Sequence, residues 1–295
     1  RAAPFAAAVV AIGLVALLIS RARATPDDVT WLAGTRDVTP DEQIVYADHL
    51  TRHRTSRLWW GGVGLAVALA AGLTLNNGTF AIGTSAIGPA GDILFCLVTG
   101  IAVGALLAEN YRLRRPTGPA SASLAPRAPL PAAGTRRAAR LVAGVALTLG
   151  IVDVLVAPGA RPALLTVVVL VPWLLCELVL RAVRERPRPA LSPRAERVDT
   201  RLRMFAAVTV SRLELAAAMS AALWLVDLDE TWHLDDDVRA VVALVGFGLL
   251  LAALVVLWHA APRSRGRRPL LAQDAPQPLV DGRTTQAPLL AAYRG

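Results

Sequence analysis

The chain has 295 residues, 55% of them hydrophobic, with a net charge of +9 and only two cysteines. That apolar load excludes an ordinary soluble domain, and the cysteine count excludes a disulfide framework. The positive charge flanks apolar blocks rather than decorating a foldable soluble unit, so it reads as membrane topology and excludes nucleic acid as the partner. All 31 basic residues are Arg. With its Ala, Val, Leu and Pro load, the chain reads as the product of a GC-rich, bacterial coding genome.

The apolar blocks run about 17–23 residues, the length a helix needs to cross a bilayer core of roughly 30 Å. Residues 1–24 read as a first transmembrane helix. Ala22-Arg23-Ala24 resembles a signal-peptidase site, but arginines directly after the apolar core argue against cleavage. The chain does not begin with Met, so a preceding segment is left open.

Residues 25–57 form a polar cytoplasmic segment. Thr39-Pro40-Asp41-Glu42 has the form of a capped helix start. The helix after it mixes Ile44, Val45 and Leu50 with charged residues, as an amphipathic juxtamembrane helix on the bilayer surface would. His49 and His53 stand at i, i+4, a spacing that can bind a metal. No third ligand is near in sequence, so a basic interfacial face is expected and no metal.

Residues 58–108 read as transmembrane hairpin 1, opened by Trp59-Trp60 at the interface. Gly61, Gly62, Gly64 and Gly100-x-x-x-Gly104 read as packing glycines that let helices approach closely. Residues 109–140 form an Arg/Pro-rich cytoplasmic linker, 141–180 transmembrane hairpin 2, and 181–203 a basic linker. Ser192-Pro193 with Glu196 again has the form of a capped start. Residues 204–260 form transmembrane hairpin 3 around an acidic outer loop, 227–237, and 261–295 a mobile cytoplasmic tail.

The expected fold is therefore all-α: a polytopic integral membrane helix bundle of about seven transmembrane helices, one leading helix and three hairpins. Arginines set its orientation. Segments 21–57, 109–140, 181–203 and 261–295 carry six, seven, eight and six Arg, whereas the intervening loops carry none or one. The positive-inside bias then places the N-terminus outside and the C-terminus in the cytoplasm of a plasma-membrane protein. Each hairpin ends in an Arg-Pro stop, and whether the hairpins are true repeats is left open.

Several chemistries are excluded. Without Lys there is no Schiff base and no Walker lysine. No His lies mid-membrane for haem, and there is no zinc-protease motif and no Gly-x-Ser-x-Gly elbow. No cofactor is expected. The acidic loop offers a weak outer cation site at Asp227, Asp229, Glu230, Asp235, Asp236 and Asp237. It lacks the Gly and Glu of a calcium loop, having Trp232 and Val238 there.

The intramembrane polar candidates are Arg212, Glu214, Glu177 and Asp153. A charge inside a span costs roughly 2.5–3.5 kcal/mol, so it needs a reason. Arg212 and Glu214, at i, i+2, cannot pair with each other. Glu177 is the expected partner of Arg212.

With no catalytic constellation, the expected function is non-enzymatic: a permease-like or accessory transmembrane subunit of a transport system, in contact with the bilayer and with other membrane subunits or a separate ATPase. The alternative is a membrane sensor with the acidic loop as input.

Overall fold

A computed structural model describes residues 22–75, 89–110, 131–156, 158, 160–185, 193–225 and 235–264. Among these there are seven helices and no strand: α1 Pro26–Ala33, α2 Pro40–Leu75, α3 Pro89–Asn110, α4 Ala133–Val156, α5 Ala160–Glu185, α6 Pro193–Leu225 and α7 Asp236–Ala260. Residues 1–21 of the expected first span (1–24), the tail beyond Ser264 and linker residues 111–130 and 186–192 lie outside the described residues.

The helix starts follow from local chemistry. At α2, the Thr39 N–H donates to Glu42 Oε2 at 3.0 Å, with Pro40 in the first turn, as its sequence implies. The short α1 uses the same device one segment earlier. Thr25 accepts from the Asp28 N–H at 3.3 Å, and its own N–H donates to Asp28 Oδ2 at 3.0 Å. Gly34 ends α1 at φ +72°, a left-handed cap that a Cβ would strain. α6 begins at Pro193, as expected; Ser192 lies outside the described residues.

Five helices, α3 to α7, contain stretches long and apolar enough to cross a membrane. Over its apolar 18-residue window α6 is 83% buried, against 22% for that of α4 and 11% for that of α7. α6 is thus the axis of the bundle, packed on α1, α3, α4, α5 and α7. Ala216, Ala217, Ala218, Ala221 and Ala222 are all buried on it, and their small size admits those neighbours. α4 and α7 instead turn Leu141, Val145, Ile151, Leu155, Leu244, Leu251 and Val255 outward. In water such bands would be costly; against lipid chains they are at home.

α2 has 36 residues. At about 1.5 Å per residue it is roughly 54 Å long, well beyond the ~30 Å hydrocarbon core. Its polar first half, 40–57, extends the helix beyond its apolar stretch. This corrects the expectation of a separate helix lying on the bilayer. Residues 40–57 continue straight into the apolar stretch, and their Val45, Tyr46 and Leu50 are buried against α1 and α6 rather than lipid. The apolar face was legible, but its cover is Val29, Trp31 and Leu32 of α1 with Val198, Leu202 and Phe205 of α6.

α2 and α3 run antiparallel at backbone contact. A Cβ added to Gly64 would fall 2.1 Å from the Cys96 carbonyl oxygen, and one on Gly100 2.1 Å from that of Trp60. One on Gly104 would fall 2.5 Å from the Ser56 oxygen, and Ser56 Oγ donates to the Gly104 carbonyl at 2.7 Å. Of the glycines expected to serve packing, Gly64, Gly100 and Gly104 do so at the closest approach in this helix pair.

Candidate functional site

Contacts between helix ends gather the polar residues at one end of the bundle. Arg57 Nη1 donates to the Ala260 carbonyl at 2.8 Å. Arg54 reaches the Pro262 carbonyl through Nε and Nη2 at 2.8 and 2.7 Å, and pairs with Asp28 Oδ2 at 2.6 Å. The Ser264 N–H donates to Asp28 Oδ1 at 2.9 Å. The Ala260 carbonyl that α7 leaves unsatisfied at its C-terminus is thus met by a guanidinium group, and the Pro262 carbonyl just beyond it by another. The first residues after α7, expected to open a mobile tail, are tied to α1 and α2; from Arg265 on, the tail lies outside the described residues. Trp59 and Trp258 are both more than half exposed. Each lies two residues from the Arg57–Ala260 bond, so they mark one level of the bundle.

Electrostatics strengthen this end. Burial alone would raise the Asp28 carboxyl. Bonds from the Ser264 N–H, Thr25 and Arg54 outweigh it and hold the group well below the usual carboxylate range. Glu42 likewise is lowered against its burial, by Arg194 and the Thr39 N–H; Arg194 Nε stands 2.7 Å from Glu42 Oε1.

Just on the polar side of the tryptophan level, three potential ligands converge. The register of the glycine contacts explains why. Ser56 faces Gly104, Trp60 faces Gly100 and Gly64 packs on Cys96, four residues back on one helix for four forward on the other. Continued by about a turn past Ser56, it brings Glu109 opposite the His49–His53 face. His53 Nε2 lies 2.8 Å from Glu109 Oε1, and His49 Nε2 3.9 Å from the same oxygen. All three side chains are buried. Phe205 of α6 braces both rings edge-on, at 5.5 Å from His49 and 5.4 Å from His53. Sequence separation hid the third member: Glu109 stands 56 residues from His53. The basic interfacial face expected for this His pair is corrected accordingly: both rings are buried.

The intramembrane candidates divide. Glu177 pairs with Arg140 of α4, whose Nη2 donates to Glu177 Oε2 at 3.1 Å while its Nε meets Oε1. Arg212 sends Nη1 to the His259 carbonyl at 2.7 Å. The expected Glu177–Arg212 pair is therefore not formed. Arg212 lies level with the end of α7 and finds acceptors there, whereas α4 lies beside Glu177. Asp153 is thirteen residues beyond Arg140 on α4, about 20 Å along the axis, and belongs to the other end.

Glu214 is fully buried on α6, and neither carboxyl oxygen has a hydrogen-bond partner among the described residues. Glu177 and Trp173 are polar neighbours short of hydrogen-bonding geometry. Of the outer acidic candidates, Asp227, Asp229 and Glu230 lie outside the described residues. Asp235 is the N-cap residue of α7, without a side-chain cap bond, and Asp236 and Asp237 open the helix.

Fold and site together define the class: a helical membrane protein with apolar faces for the bilayer and a packed polar end. Comparisons with known protein families, curated proteins and solved structures find no match to this chain.

Proposed function

We propose that the chain is a seven-span plasma-membrane protein, its polar end cytoplasmic, acting as a non-catalytic permease-like or accessory transmembrane subunit of a transport system. Glu214 carries this reading. Its neighbour Glu177 is answered by Arg140. Glu214 has no donor among the described residues. An ionised carboxyl in the bundle interior needs its charge balanced, and a proton or a bound cation supplies that balance. Such a group is where a transport component holds or passes a charge. The orientation draws support from the clustering of Arg54, Arg57, Arg140 and Arg212 at one end, in keeping with the positive-inside bias.

The test is purification from native membranes in mild detergent, with wild type and Glu214→Gln side by side. Co-elution of an ATPase with both, and loss of that complex's ATP-driven uptake in the Glu214→Gln variant alone, supports the proposal. A kinase or transcription regulator in its place supports a sensor. A chain that elutes alone, with Glu214→Gln leaving growth unchanged, overturns the transport reading.

A further inference from the structure

We propose that His49, His53 and Glu109 form a site for one divalent transition-metal ion of the zinc class, joining α2 to α3 at the polar end of the bundle. Two imidazoles and a carboxylate are the donor set that such ions take, with a fourth position left for water or another ligand. Their ligand atoms lie within 4.8 Å of one another. Tetrahedral bonds of 2.0–2.1 Å would set donors about 3.3 Å apart. The observed 2.8 Å for His53–Glu109 and 3.9 Å for His49–Glu109 bracket that spacing, so small side-chain rotations suffice.

The surroundings favour a defined site over a chance cluster. His49 and His53 are one helical turn apart on a single face, their ring centroids 4.5 Å apart. The glycine-bearing contact of α2 and α3 fixes the height of Glu109 against them. Phe205 holds both rings from the third side, which limits the rotations that would scatter the donors. Binding replaces the His53 Nε2–Glu109 Oε1 hydrogen bond by the metal, and the neutral imidazole then carries its proton on Nδ1. Arg57 acts on Glu109 electrostatically and opposes a cation. The site is therefore expected to be weaker than a two-histidine, one-carboxylate centre without such a neighbour. Because the ligands come from two helices, an occupied site clamps the α2–α3 pair and stabilises the folded chain by mass action.

The full chain, purified in detergent and stripped with chelator, is titrated with Co2+ as a visible-absorption probe and then with Zn2+ as competitor. Bound metal is counted after gel filtration. The expected result is one Co2+ per chain, displaced by Zn2+, with the thermal transition raised. His49→Ala, His53→Ala and Glu109→Gln each weaken binding about tenfold or more. His233→Ala and His259→Ala, the only other histidines, leave it intact. If His53→Ala misfolds, His53→Cys keeps a donor and retains the metal. Wild type holding no more Co2+ than a His49→Ala/His53→Ala double variant overturns the site, as does loss of binding in His233→Ala or His259→Ala.

Discussion

Arg212 donates Nη1 to the carbonyl oxygen of His259 at 2.7 Å, so a charge set into the most buried helix ends on the C-terminus of the most exposed one. A helix end in or near lipid cannot leave its carbonyls to water, and a long Arg side chain can reach them from an adjacent helix. Arg57 does the same for Ala260. Removing Arg212 should cost about 1.5–3 kcal/mol, the range for a hydrogen bond to a charged group. Arg212→Gln, melted in detergent beside wild type, is expected to unfold at lower temperature and to loosen α7 before the rest. An unchanged transition would show that the bond contributes nothing.

The α2–α3 contact makes a sharper prediction. Gly100→Ala puts a methyl 2.1 Å from the Trp60 carbonyl oxygen, which only a shift of one helix relieves. The cost is expected at about 1–3 kcal/mol, as for overpacked cores. Gly248→Ala meets nothing within 4 Å and should be neutral or stabilising by up to ~1 kcal/mol. Thermal denaturation of the two variants should move in opposite directions or leave Gly248→Ala unmoved.

Asp28 gives a pH dependence. Its carboxyl is held lower in the folded chain than the ordinary unfolded value of about 3.9. The unfolded state then binds the proton first as acid is added. The stabilisation is complete above that value and is lost as pH falls below about 4 toward the folded pKa. Glu42 contributes in the same direction. Wild type should therefore lose stability below about pH 4 more steeply than Asp28→Asn. Parallel curves would mean that the Arg54 and Ser264 bonds do not hold the carboxylate.

Much of this was written in local sequence. Thr39-Pro40 with Glu42 starts α2 where expected, and Gly100 and Gly104 mark a close contact without naming the partner. Thr25-Pro26-Asp27-Asp28 repeats the same capping form and could have revealed α1, whose eight residues are too short for a periodicity to show. The side-chain partners were less legible. The expected pairing of Arg212 with Glu177 rests on both lying inside spans, which does not say which neighbour a side chain faces. That is set by helix packing, which puts Arg140 beside Glu177 and the end of α7 beside Arg212. Glu109 joins His53 only because the glycines fix the antiparallel register, a relation between two helices that no single segment carries.

The central claim is that the polar end, with Arg54, Arg57 and the His49–His53–Glu109 cluster, faces the cytoplasm. Reporter fusions test it directly, one placed after Gly118 and one after Gly83. The expected result is cytoplasmic activity at Gly118 and extracytoplasmic activity at Gly83. An extracytoplasmic signal at Gly118 would contradict the orientation and with it the cytoplasmic placement of the polar end.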